Sequence, residues 1–402
     1  MSDENTSLLS SSSYNSDEPE VVIKQIREPE AVKNASLKHL VIVPCLLTYF
    51  FAMGILWYAL PEYTQNYVKQ AIVKRSETGN TSSNRTFHHF NPCNVSKSAP
   101  GYETYTEIQQ TTAEWNIYFS VSSSIPMLFA NLIWGSYSDI LGRRFLFVLC
   151  TLGASIKVGI FIVVVRSEAS LLYMVLANVI EGLTGSFTIM FVAAFSFVAD
   201  ITEPGRKRTI YIVVVECCLG ITVTLSTFVT GYFIQYQGFF YPVLTSCLLC
   251  VFSMLTFLLF LPETLRKHPD SKPEAGRLLN YIKTAFRFYF KQESKVKRWK
   301  YILLILSLTF IAIPAMNRGS IETLYQLGRP FCWTATKIGW FGAMKTGLAS
   351  LLGMAGVFIL QKFIADDTIA LIGTLSGLFS LVLEGMATTN FVMYIGRHIL
   401  VI

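Results

Sequence analysis

Five ionisable side chains stand inside long apolar stretches of this sequence: Lys157, Glu181, Glu216, Lys345 and Glu384. Hydrocarbon makes a charge costly, so each needs a partner, a water-filled cavity or a proton to carry. Glu216 follows Val213-Val214-Val215 and precedes two cysteines. Desolvation favours the neutral form of an acid placed there, which makes Glu216 a proton carrier, or else a carboxylic acid locked in an interhelical hydrogen bond. Lys157 and Lys345 can meet an anionic solute in a cavity or pair with Glu181 or Glu384. Arg318 and Glu322, four residues apart, share a helix face and read as an interfacial salt bridge. Nothing points to bond-making chemistry. The sequence contains no HExxH, P-loop, GxSxG or His/Cys metal cluster, so neither an enzyme nor a metal or cofactor is expected.

The elements that position these residues follow from composition. Of 402 residues, 52% are hydrophobic and 15% charged, with a mean hydropathy of +0.45. Typical soluble domains carry about 25% charged residues, so a soluble cytosolic protein is excluded. A bilayer core about 30 Å thick needs about 20 apolar residues per helix. Spans are expected near 39–61, 115–135, 145–165, 171–199, 209–234, 241–261, 301–322, 338–360 and 369–389. A tenth apolar run begins at Asn390 and meets the chain end at Ile402. Thirteen helical residues rise about 20 Å, short of a crossing, so the expected fold is an all-α polytopic bundle, C-terminally truncated, with nine complete spans and part of a tenth. Pro44, Pro126 and Pro314 fall in spans and can kink them.

The net charge is 33 − 26 = +7. With the N-terminus in the cytoplasm, 21 Lys and Arg fall on the inner side, eight on the outer side and four within spans. This asymmetry follows the positive-inside rule and removes nucleic acid as the explanation for the charge. The sequence divides into a disordered cytoplasmic tail (1–38), a six-helix half (39–261) with an outer loop (62–114), a basic cytoplasmic linker (262–300) and a partial second half (301–402). Three glycosylation acceptors, Asn80, Asn84 and Asn94, cluster in the outer loop. Six cysteines fall in helices, whereas Cys93 and Cys332 lie in outer loops, where an oxidising compartment favours a disulfide between them. In the tail, Glu4 stands four residues before Leu8-Leu9, the pattern of an acidic dileucine signal for a sorting adaptor. The basic and aromatic stretch 281–300 can lie on an anionic leaflet.

The connection between spans 2 and 3 reads Gly135-Ser136-Tyr137-Ser138-Asp139-Ile140-Leu141-Gly142-Arg143-Arg144. Gly135 permits close helix approach, Gly142 a tight turn, and Asp139 can pair with an Arg or face a helix N-terminus. This resembles the signature loop of the major facilitator superfamily, G-x-L-S-D-R-x-G-R-R, and departs from it at Ile140. Asp200 with Arg206 resembles that superfamily's acidic/basic pair after span 4, and Pro262-Glu263-Thr264 its P-E-T motif after span 6. Within the superfamily, the run from Phe191 to Asp200, Val215-Glu216 with Gly220, and Thr323-Leu324-Tyr325 through Cys332-Trp333 are similar to solute carrier family 46.

The resemblance implies two six-helix halves that rock between states, with the span 2–3 loop setting the exchange. It implies proton coupling through Glu216 and an outer disulfide joining Cys93 to Cys332. A His that the family's folate carrier uses in span 7 falls at Ala315, so the family's lysosomal member is the nearer comparison. The expected function is secondary active, proton-coupled transport of a small anionic or amphipathic solute. The protein is expected in a lysosomal, endosomal or plasma membrane, with lipid as its other partner. A non-transporting receptor or adaptor, or an inactive truncated isoform, is the alternative.

Overall fold

The computed structural model describes residues 41–79, 102–203, 205–264 and 335–398, with single positions between 299 and 331 and at 333. Ten helices follow one another among the described residues: α1 (Ile42–Gly79), α2 (Tyr102–Leu141), α3 (Arg143–Ser167), α4 (Leu172–Leu183), α5 (Ser186–Ile201), α6 (Arg206–Gln237), α7 (Phe240–Phe260), α8 (Ala335–Leu360), α9 (Asp366–Gly385) and α10 (Asn390–His398). Eight helical stretches are long and apolar enough to cross a membrane, with α4 and α5 counted as one. They coincide with spans 1–6, 8 and 9 of the sequence-based set, and α10 occupies the tenth run. Most of span 7 lies outside the described residues. The chain is a multi-pass membrane protein.

Polarity is arranged from the inside out. Leu248, Phe252, Leu255 and Leu259 form one exposed stripe on α7, and Ile125, Leu128, Phe129 and Leu132 another on α2. A soluble helix would turn such an i, i+3, i+4 stripe inward; here it suits lipid. The inner faces carry the first-half core, where Phe147 stacks on Phe257 at 4.8 Å and both are fully buried. Polar atoms that do face inward are tied to backbone: Ser246 Oγ donates to the Ala52 carbonyl at 2.7 Å, and Ser253 Oγ to that of Cys45 at 3.2 Å.

Three features differ from expectation. Helix occupies both ends of the outer segment read as 62–114, since α1 runs to Gly79 and α2 starts at Tyr102. Hydropathy falls at Glu62, but the helical stripe does not: Leu60, Tyr63, Thr64 and Val68 stay buried on α1, and Ile108, Thr112 and Phe119 on α2. Second, span 4 breaks at Thr184-Gly185, where Gly185 has φ +88° and Ser186 φ +50°. Third, Pro44 sits in the first turn of α1, where its missing N–H costs nothing, and Pro61 stands inside that helix. Pro126 is inside α2, and Pro314 lies outside the described residues.

α6 packs against both α1 and α8. The α6–α8 seam is close because small residues meet there: a Cβ on Gly220 would fall 1.9 Å from Ser350 Oγ. Gly220→Leu is expected to push α8 off α6 at a cost of about 1–3 kcal/mol. Thermal unfolding and size-exclusion profiles of the purified protein would show this, and a wild-type melting temperature would contradict it.

Candidate functional site

Polar side chains gather at three places. The first is the end of the bundle where α2 turns into α3. Gly142, at φ +99°, reverses the chain so that α3 begins at Arg143. The exposed N–H groups of that helix start meet Glu263: its carboxylate accepts from Arg143 N at 2.9 Å and from Arg144 N at 3.3 Å. A carboxylate there satisfies two orphan donors and complements the helix dipole. A Cβ on Gly142 would lie 2.2 Å from that carboxylate, so the position needs glycine for space as well as for φ. The Arg143 side chain runs the other way, donating from Nη1 to Ser138 Oγ at 2.7 Å and from Nε to Asp200 Oδ2 at 3.2 Å. Thr264 Oγ1 also donates to Asp200, at 3.1 Å.

Three separate sequence motifs thus form one cluster, with two changes of partner. Asp200 pairs with Arg143 and not with Arg206, which is exposed. Arg208 is the basic residue that turns back, donating from Nη2 to the carbonyls of Ala199 and Thr202 at the end of α5. The carboxylate at the helix start is Glu263. The Asp139 side chain lies outside the described residues, and Gly135 has open space around it.

The second place is the break in span 4. Lys157 Nζ donates to Glu181 Oε2 at 2.7 Å, and Ser186 Oγ donates to Glu181 Oε1 at 2.8 Å. Lys157 is 5% exposed and Glu181 2%, so this is a closed ion pair. The break supplies its third member, because the turn at Gly185 is what brings Ser186 beside Glu181. Cys150 Sγ donates to the Ser186 carbonyl at 3.1 Å and lies 3.3 Å from Tyr49 Oη. The Leu183 carbonyl, released by the break, accepts from Trp134 Nε1 at 2.9 Å.

The third place is the α6–α8 seam. Glu216 borders a cavity of about 460 Å³ between α6, α8 and α9, with Cys217, Ser350, Gly353, Met354 and Ile369 around it. Its side chain is exposed to that space and makes no hydrogen bond or ion pair to another described residue. The expected apolar enclosure is therefore an open cavity. Lys345, on α8, pairs with Glu322, which also accepts from Gln326 Nε2 at 3.2 Å. Glu322 was expected to pair with Arg318, which lies outside the described residues. Glu384 is buried where α9 meets α10. At the other end of the seam a second cavity holds Glu62, a residue that hydropathy alone assigns to a loop. Continuing the stripe from Tyr58 through one more turn would have found it.

Asn80, Asn84, Asn94, Cys93, Cys332, Glu4, Leu8 and Leu9 lie outside the described residues. The other six cysteines are free thiols in helices. No group of three or more metal-ligating side chains occurs among the described residues.

The sequence profile of the Major Facilitator Superfamily matches residues 42–402. The chain is similar to the proton-coupled folate transporter of Bos taurus, 28% identical over 73% of this chain and 63% of the relative. It is also similar to the lysosomal proton-coupled steroid conjugate and bile acid symporter SLC46A3 of Gallus gallus, 28% identical over 90% of this chain and 76% of the relative. This chain thus spans less than two thirds of the length of the bovine protein. The solved human organic anion transporter MFSD10 (TETRAN) superposes with a TM-score of 0.59 at 15% identity, covering 90% of this chain and 82% of that one. The fold is shared.

Removing one partner of a buried pair leaves an uncompensated charge, at about 3–5 kcal/mol. Lys157→Met is therefore expected to lower the melting temperature strongly. Lys157→Met combined with Glu181→Gln should recover most of the loss. Equal stability of the single and double variants would show that the pair contributes no coupling.

Proposed function

Because the chain belongs to the major facilitator superfamily, we propose that it is a secondary transporter. It moves a small amphipathic organic solute across a membrane by alternating access, with protons as the driving ion. The observation that carries this reading is Glu216, an acid inside a span that borders an open cavity and has no described partner. In a low-dielectric seam such an acid changes charge when it binds or releases a proton, and only the neutral form crosses apolar surroundings cheaply. The seam it occupies joins α6 of the first half to α8, so its charge state bears on how the two packed bodies move. The cluster of Arg143, Asp200 and Glu263 joins α3, α5 and the segment after α7, which keeps the first half moving as one body. The names of the bovine and chicken relatives, both proton-coupled carriers, support protons as the driver. Their cargoes suggest folates, steroid conjugates or bile acids as solutes to try first. The charge asymmetry supports a cytoplasmic N-terminus, and on that reading Asn80, Asn84 and Asn94 are acceptors for glycosylation, and Cys93 and Cys332 candidates for a disulfide, on the opposite side.

In liposomes with an imposed pH gradient, uptake of labelled taurocholate or folate is expected to fall about tenfold in Glu216→Gln, the scale of a 1.4 kcal/mol interaction. Exchange without a gradient should persist. Gradient-driven uptake at the wild-type rate would remove Glu216 from the coupling step.

The tail signal supports an endosomal or lysosomal destination. Replacing Leu8 and Leu9 with Ala is expected to shift the protein to the cell surface on imaging. An unchanged distribution would reject the signal.

A further inference from the structure

Glu62 sits on α1 beside a cavity of about 190 Å³ formed with α6 and α8. Its Oε2 atom is buried and has no hydrogen-bond partner among the described residues. An ionised carboxylate in that state is costly unless a proton or a cation accompanies it. The surroundings distinguish the two. Aromatic rings line the space from all three helices: Tyr58 from α1, Phe228 and Tyr232 from α6, and Trp340 from α8. Phe228 meets Trp340 edge to face, with centroids 5.0 Å apart and planes at 84°, and Phe228 meets Tyr232 at 5.2 Å and 62°. The rings therefore pack edge to face around the space and do not form a parallel stack. Gly231 and Gly339 keep the space open, since a Cβ on either would lie 3.6–3.7 Å from Tyr58 Oη. A proton needs no such room, whereas an organic cation needs both the room and the π faces.

Charge points the same way. No Lys or Arg lines this cavity among the described residues. Lys157 and Lys345, the described lysines placed mid-span, are neutralised by Glu181 and Glu322. The nearby ammonium of Lys337 is itself seated on an aromatic ring, 4.7 Å from the centroid of Trp333. The cavity falls below the roughly 300–1,000 Å³ of sites for drug-sized ligands, so it suits a head group and not a fused-ring body.

We propose that Glu62, Tyr58, Phe228, Tyr232 and Trp340 form a subsite for an organic ammonium group, either a small quaternary amine or the cationic head of a larger amphipathic solute. The carboxylate supplies the counter-charge and the rings supply cation–π contacts. The subsite goes beyond the transport reading and does not depend on Glu216.

The test is equilibrium binding to the purified full chain in lipid nanodiscs, measured by calorimetry at constant ionic strength. The probes are choline and its neutral isostere 3,3-dimethylbutanol. Choline is expected to bind saturably and the isostere about tenfold more weakly or not at all. Glu62→Gln and Trp340→Leu should each weaken choline about tenfold, while Glu62→Asp retains part of the affinity. Equal binding of the two probes to the wild-type protein would overturn the proposal whatever the variants do. So would absence of choline binding, full competition by sodium chloride at matched concentration, or wild-type affinity in a folded Glu62→Gln. Because the readout is binding and not uptake, its failure leaves the Glu216 experiment standing.

Discussion

A carboxylate cannot lie in hydrocarbon by itself. It takes a cationic partner, a helix N-terminus, a cavity or a proton, and this bundle shows the first three. Glu181 has Lys157 and Ser186. Glu263 has the N–H groups that open α3. Glu322 has Lys345 and Gln326. Glu62 and Glu216 border open space. The same constraint shapes the backbone: outside faces give hydroxyls back to their own helix, and the break in span 4 is tolerated because Trp134 and Ser186 engage the groups around it.

The distribution of these solutions separates framework from working parts. The paired acids lie within the first half or bind α8 to the segment before it. Glu181 and Glu322 are buried and each takes two partners, as befits groups that hold a shape, whereas Glu263 is exposed at the end of the bundle. The acids on cavities both border α6: Glu62 of α1 where α6 meets α1 and α8, and Glu216 where α6 meets α8 and α9. Glu216 and Gly231 are fifteen residues apart on α6, a rise of about 22 Å, so the two cavities occupy opposite ends of one seam. Around Gly220 of α6 and Ser350 of α8 the seam is lined by small residues, which lets the two helices approach closely there without locking large side chains together and suits a seam that must move.

Much of this was legible without coordinates. Spans could be read because about 20 apolar residues in a row have few other uses. The motif around Arg143 could be read because glycine at a tight turn beside paired arginines is a local requirement. The cavity position of Glu216 was half legible: its place in a span was plain, but its exposure to open space depends on what α8 and α9 put opposite it. Glu62 was missed because a hydropathy window averages a stripe away once polar residues occupy the other face. Tyr63, Thr64 and Val68 show that the buried stripe continues past it.

Local chemistry, read along the chain, determined what is apolar enough to span, where glycine is needed and which ionisable groups need a solution. Partner choice was decided by the tertiary structure. Asp200 could face Arg143, Arg206 or Arg208 by sequence, and packing of α5 against α3 selects Arg143. Lys157 and Lys345 each had several acids within reach of a plausible bundle, and the packing of α3 on α4 and the placement of α8 assign Glu181 and Glu322. The reason is physical: span formation depends on transfer of a segment to lipid, a sum over neighbouring residues, whereas an ion pair depends on a few ångströms between helices far apart in sequence.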